Sequence, residues 1–153
     1  MKFIFFVAII FSVVYSSSYC EAAVPPIQIE DMRLELGNSW KMRQDGVDNS
    51  KMIFVFTTPN ASVTMYVQPD PLSSLDEVFV NGSTMTMDPQ RFNFNSHGWT
   101  VLETRKISKL TNKQSFVFGF VTVFEGNTYW GYSKSLTSKI ARETGIEFLR
   151  GLN

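Results

Sequence analysis

The chain has 153 residues, 44% of them hydrophobic and 18% charged, with 14 basic and 14 acidic side chains and one histidine. That length suits one globular domain able to bury roughly two thirds of the surface its unfolded chain exposes. The zero net charge excludes the overall basic balance of a nucleic-acid binder or a polybasic membrane-surface protein, so no nucleic-acid partner is expected.

The N-terminus reads as an export signal. Met1-Lys2 supplies a short positive start, and FIFFVAIIFSVVY (residues 3–15) is an apolar run of signal-peptide length. It is short for a bilayer core of about 30 Å. The following SSSYCEAA allows cleavage after Ala22 or Ala23. Residues 1–23 are therefore expected to be a signal peptide and 24–153 a single exported domain, periplasmic or extracellular, with no transmembrane segment in the mature chain. Cys20 is the only cysteine. Bacterial lipid attachment calls for a small residue just before the cysteine and an aliphatic one three before, and Tyr19 and Ser17 stand there. Ordinary cleavage downstream removes Cys20 and leaves no disulfide, thiol nucleophile or thiolate metal site. The sequons at Asn60 and Asn81 are read as turn chemistry.

After the VPPIQIEDM leader, residues 33–36 and 40–43 are expected to form a short hairpin around Gly37-Asn38-Ser39, followed by a turn at Gln44-Asp45-Gly46. In KMIFVFT (51–57), Met52, Phe54 and Phe56 alternate with Ile53 and Val55, so both faces are apolar. A turn at Pro59-Asn60 leads to a strand over 62–67 with Val63, Met65 and Val67 inward and Thr64, Tyr66 and Gln68 outward. Two prolines in QPDPLSSLDEVF stop the strands, and Ser74 with Glu77 is a capping-box pattern opening a helix that carries Leu75, Val78 and Phe79.

Beyond DPQRFNFNSHG, three strands are expected, over 99–110, 115–124 and 128–133, the last two joined at Glu125-Gly126-Asn127. The first of these reads as the most solvent-facing. In SFVFGFVTVF (115–124), Phe116, Phe118, Phe120 and Phe124 fall on one face and Val117, Val121 and Val123 on the other. Residues 136–152 read as an amphipathic helix presenting Ile140, Ala141, Phe148, Leu149 and Leu152, despite Gly145. A strand apolar on both faces belongs in a sheet covered on both sides, and the two predicted helices would supply the covers. The expected fold is α+β, an antiparallel sheet covered by helices in an α/β/α sandwich.

Charge is uneven along the chain. Residues 24–90 hold nine acids and four bases, and residues 91–153 hold nine bases and four acids, net −5 followed by net +5. Strands from the two halves are expected to interleave and mix these signs; if they do not, a dipolar surface could steer a charged partner.

The element order is a hairpin with a Gly-x-x-Trp turn (LELGNSWKMR), the strands KMIFVFT and SVTMYV, a Ser-Leu-Asp-Glu helix start, long central strands and a C-terminal helix. It resembles the PsbP-like superfamily, including the DcrB-type exported bacterial proteins, over roughly residues 33–149. The resemblance implies a non-enzymatic accessory or adaptor that docks on a larger protein or an envelope assembly.

Candidate chemistry is sparse. His97, in Ser96-His97-Gly98-Trp99, could serve as a base or metal ligand, but no His-x-x-x-His, retained cysteine or glycine-rich phosphate loop assists it, and it reads as an exposed loop histidine. Asp45, Asp48, Asp70 and Asp76 lack EF-hand spacing and suit turns. Ser96 has no nucleophile-elbow context. No catalytic residue, metal site or cofactor is expected.

The aromatic residues are more informative. A strand cannot bury Tyr129, Trp130 and Tyr132 of NTYWGYSK on one face, and Trp130 is read as opposite to its two neighbours. Aromatics are enriched at interface hot spots. The candidate partner-binding residues are Trp99, Trp130 and Tyr132 with the basic run Arg105, Lys106, Lys109 and Lys113. Three functions are compatible with this reading. The first is an exported binding or accessory protein of the bacterial cell envelope, working through protein contacts. The others are a periplasmic immunity protein neutralising an antibacterial toxin, and a small-ligand carrier or enzyme using the His97 loop.

Overall fold

The computed structural model describes residues 25–70, 83–86, 90–107 and 111–153. Its strands are β1 (Ile27–Ile29), β2 (Met32–Leu34), β3 (Lys41–Asp48), β4 (Lys51–Thr57), β5 (Ala61–Gln68), β6 (Ser83–Thr86), β7 (Gln90–Phe94), β8 (His97–Ile107), β9 (Gln114–Phe124) and β10 (Asn127–Ser135), followed by a helix, α1 (Ser138–Gly151). β1 and β2 form a two-stranded hairpin. The others form an eight-stranded antiparallel sheet in the order β3-β4-β5-β10-β9-β8-β6, with β7 also pairing to β8.

Three of the hairpins close through two-residue turns in which both residues have positive φ: Asn49 (46°) and Ser50 (64°), Asn95 (46°) and Ser96 (69°), Glu125 (49°) and Gly126 (83°). That handedness matches the right-handed twist of the flanking strands. The turn after β9 lies where the sequence placed it. The first expected hairpin does not form, because β2 pairs with β1. Nor does the chain turn at Gln44-Asp45-Gly46. β3 runs through these residues against β4, with a bulge between Met42 and Gln44, and reverses at Asn49-Ser50. The long apolar partner β4 overrides a local Asp-Gly signal, as tertiary pairing commonly does.

The expected sandwich with helices on both faces is overturned. The described residues are 61% strand and 13% helical, a β-rich antiparallel fold in which α1 packs on one face of the sheet. Part of the reason is β7, since the segment DPQRFNFNSHG supplies another strand and a tight turn. The helix predicted from Ser74 lies outside the described residues.

The face beneath α1 holds the main core. Phe148 is fully buried, with the rings of Trp40, Phe56 and Phe120 centred 5.8, 5.3 and 5.9 Å from its own. Val63, Met65, Val67, Val101, Phe118 and Tyr129 extend the same cluster. Trp40 Nε1 donates to Glu147 Oε1 at 2.8 Å, so the indole is satisfied by the helix it packs on. Thr137 caps α1 by accepting from the Ile140 N–H. At the other end, Asn95 Nδ2 donates to the carbonyls of Arg150 and Leu152, meeting acceptors a helix terminus would leave open. Arg33 and Asn153 exchange two backbone hydrogen bonds of 2.8 Å, which stitches β2 to the residues after the helix.

The halves of the chain do not interleave as expected. Among the described residues, β3, β4 and β5 lie together on one side of the β5–β10 junction and β10, β9, β8 and β7 on the other, while β6 from the acidic half joins the second block and the β1–β2 turn meets it through Asp31, which contacts Asn127 and Tyr129. Within the described strands of the large sheet, the two halves of the sequence thus stay largely apart.

The seating of α1 requires Gly145. A Cβ there would fall on the Phe118 ring and lie 3.0 Å from Ser133 Oγ. An exposed helical Gly→Ala change stabilises by about 1 kcal/mol, but overpacking a filled core costs about 1–3 kcal/mol. Gly145→Ala is therefore expected to lower the unfolding free energy in a urea titration by about 1–2 kcal/mol. A gain would mean that the helix can back away from Phe118 at little cost.

Candidate functional site

Strand alternation gives the sheet a second face, directed away from α1. Cross-strand register sets Trp130 opposite both Tyr66 and Val121, and Tyr132 opposite Thr64 and Gly119. The Tyr66 and Trp130 rings stack at 4.1 Å with an interplanar angle of 13°. Trp130 Nε1 donates to Gln68 Oε1 at 3.0 Å, which fixes the indole although only 8% of the residue is exposed. Gly119 leaves space across from Tyr132, whose side chain packs on Leu102 and Val117. Ile53, Val55 and Val121 continue the apolar band and stay partly exposed, as do Tyr66 and Tyr132.

Lysines frame this band. Lys51 Nζ lies 6.0 Å from the Trp130 ring centre and Lys106 Nζ 5.7 Å from that of Tyr132. Ammonium groups over aromatic faces at such sites contribute about 0.5–1 kcal/mol each. Lys134 is exposed one strand from Lys106. Burial lowers the Lys106 pKa from its ordinary value, and the charge of Lys134 lowers it further. Burial raises the Tyr66 pKa, with additional contributions from the charge and hydrogen bond of Tyr132. The arrangement is a polarised aromatic surface with cations at its margins.

The candidate residues divide. Trp130, Tyr132 and Lys106 come together on this face. Trp130 and Tyr132, two residues apart, point the same way, and Tyr129 alone turns into the helix-side core, which corrects the expected division of the three. Trp99 is 0% exposed and stacks edge-on against Phe120 at 5.7 Å, so it belongs to the core beneath α1 and offers no surface. Strand β8 as a whole is less solvent-facing than expected, since Val101, Leu102 and Thr104 are also buried. Arg105 projects to the α1 side, its register partner being Phe116. Lys113 is exposed ahead of β9. Lys109 lies outside the described residues. The sequence reading did not assign Tyr66, Lys51 or Lys134; the outward position of Tyr66 in SVTMYV and the alternation of Lys134 with Tyr132 in NTYWGYSK were the local signals for them.

His97 opens β8 and packs edge-on against the Phe124 ring, with centroids 4.5 Å apart. Among the described residues no group of three or more His, Cys, Asp or Glu side chains gathers to hold a metal ion. Asp76 lies outside the described residues, as does the side chain of Asp45. No helix among the described residues is long and apolar enough to cross a membrane. No protein-family model and no curated protein matches this chain.

Because the folded state holds the Tyr66 proton more tightly than the unfolded chain, its stabilising contribution is complete below the unfolded value of 10.0 and is lost as pH rises through the folded value. Tyr129 is raised in the same direction, chiefly by burial. An ultraviolet titration should therefore show late-ionising tyrosines. Tyr66→Phe should remove one of them and flatten the alkaline fall in stability, and loss of an early-ionising tyrosine instead would contradict the partly buried Tyr66–Tyr132 contact.

Proposed function

We propose that this protein is an exported, non-enzymatic accessory protein of a bacterial cell envelope that docks on an acidic protein surface through the aromatic face of its sheet. The observation that carries this reading is the convergence of Tyr66, Trp130 and Tyr132 between Lys51, Lys106 and Lys134. Rigid Trp and Tyr side chains lose little entropy on contact and supply much of the binding energy at protein interfaces. Lysines at the rim favour a partner of opposite charge and speed its approach. The expected export signal at residues 1–23 supports the envelope setting.

The partner is sought by tagging the mature domain after Ala23, away from the stitched C-terminal residues, and isolating it with its partner from the native envelope fraction. The Lys106→Glu/Lys134→Glu variant should retain less than about a tenth of that partner, and binding of the parent protein should weaken as salt rises. Equal retention by a variant with unchanged circular dichroism would overturn this assignment of the docking face.

A further inference from the structure

On the α1 side of the sheet, away from the aromatic band, β8, β9 and the first turns of the helix enclose a cavity of about 230 Å³ that opens to solvent. Its walls include Phe116, Phe118 and Ala141, with Glu103, Arg105 and Ser138 as polar members. Phe116 and Phe118 come from the strand read as two-faced, so part of the Phe face of β9 borders a hollow.

The polar groups do not balance one another. Glu103 accepts from Arg142 Nε at 3.2 Å, so its charge is answered from the helix. Arg105 Nε is buried without a hydrogen-bond partner. A guanidinium cannot shed its charge by losing a proton, and a buried donor left unmade is costly, more so on an ion. The hollow therefore combines an apolar wall with a partly buried guanidinium whose Nε has no partner.

We infer that this cavity binds a small free monocarboxylate, its carboxylate on Arg105 and its hydrocarbon part against Phe116, Phe118 and Ala141. A guanidinium presents parallel N–H groups that match the two oxygens of a carboxylate. The volume is below the roughly 300–1,000 Å³ of drug-sized sites, which suits a short single chain and excludes a diacyl lipid. With Glu103 already paired to Arg142, the hollow offers one uncompensated positive charge, which matches a ligand with a single negative charge. Cations gain little, since the nearby carboxylate is already paired.

The test is calorimetric titration of the mature protein with sodium octanoate and, separately, octan-1-ol, which shares the tail and lacks the charge. Octanoate should bind saturably at one site and about tenfold or more tighter than the alcohol, the range expected for a hydrogen bond to an ion. Arg105→Gln should erase that preference and leave weak binding of the alcohol unchanged. Equal affinity for acid and alcohol, no saturable octanoate binding, or full affinity in Arg105→Gln would each overturn the inference. If that variant does not fold, the acid–alcohol comparison on the parent protein still decides the matter.

Discussion

The close approach of α1 to the sheet is the constraint on which the structure turns. Large side chains at the contact require small ones beside them. Gly145 lets the helix backbone come down on Phe118, and Ser133 beneath it donates its hydroxyl to the Ala141 carbonyl. On β10, a Cβ at Gly131 would collide with the Thr64 carbonyl and lie 3.0 Å from the edge of Phe120. Phe120 can therefore lie over the strand and meet Phe148 from below. Remove the glycines and the aromatic cluster has no room, however apolar its members.

This packing assigns the two faces different work. Once α1 covers one side, Trp99, Tyr129 and the central phenylalanines are committed to holding it there. The other side carries Tyr66, Trp130 and Tyr132 with their polar tips and flanking ammonium groups. Lys106 and Lys134 reach this face from the basic block of strands, and Lys51 joins them from β4 of the acidic half.

What could be read in advance was local. Alternation placed Val63, Met65 and Val67 inward and separated the Phe and Val faces of β9, and the Glu125-Gly126 turn and α1 follow from turn and amphipathic patterning. The turn expected at Gln44-Asp45-Gly46 was misplaced because Asn49-Ser50 is a weak turn signal beside Asp45-Gly46, although Asn and Ser side chains can support positive φ by bonding nearby backbone. β7 was missed for the same reason at Asn95-Ser96. Trp130, Tyr132 and Lys106 could be proposed from their strands. Tyr66 and Lys51 join them only through the β4–β5–β10 register, which no short window contains, whereas Lys134 follows Tyr132 by alternation along β10. Trp99 shows the converse: its burial is decided by Phe120 and the helix-side core, not by its neighbours in sequence.

The strand order also carries a kinetic meaning. β3, β4 and β5 follow one another through tight turns, as do β9 and β10, so each group can pair with little loss of chain entropy. Joining them requires residues 61–68 to find residues 128–135, closing a long intervening segment before any reward arrives. That seam concentrates the non-local part of the folding search. The stacked Tyr66 and Trp130 lie across it, so the contact that shapes the outer face also rewards the correct long-range register.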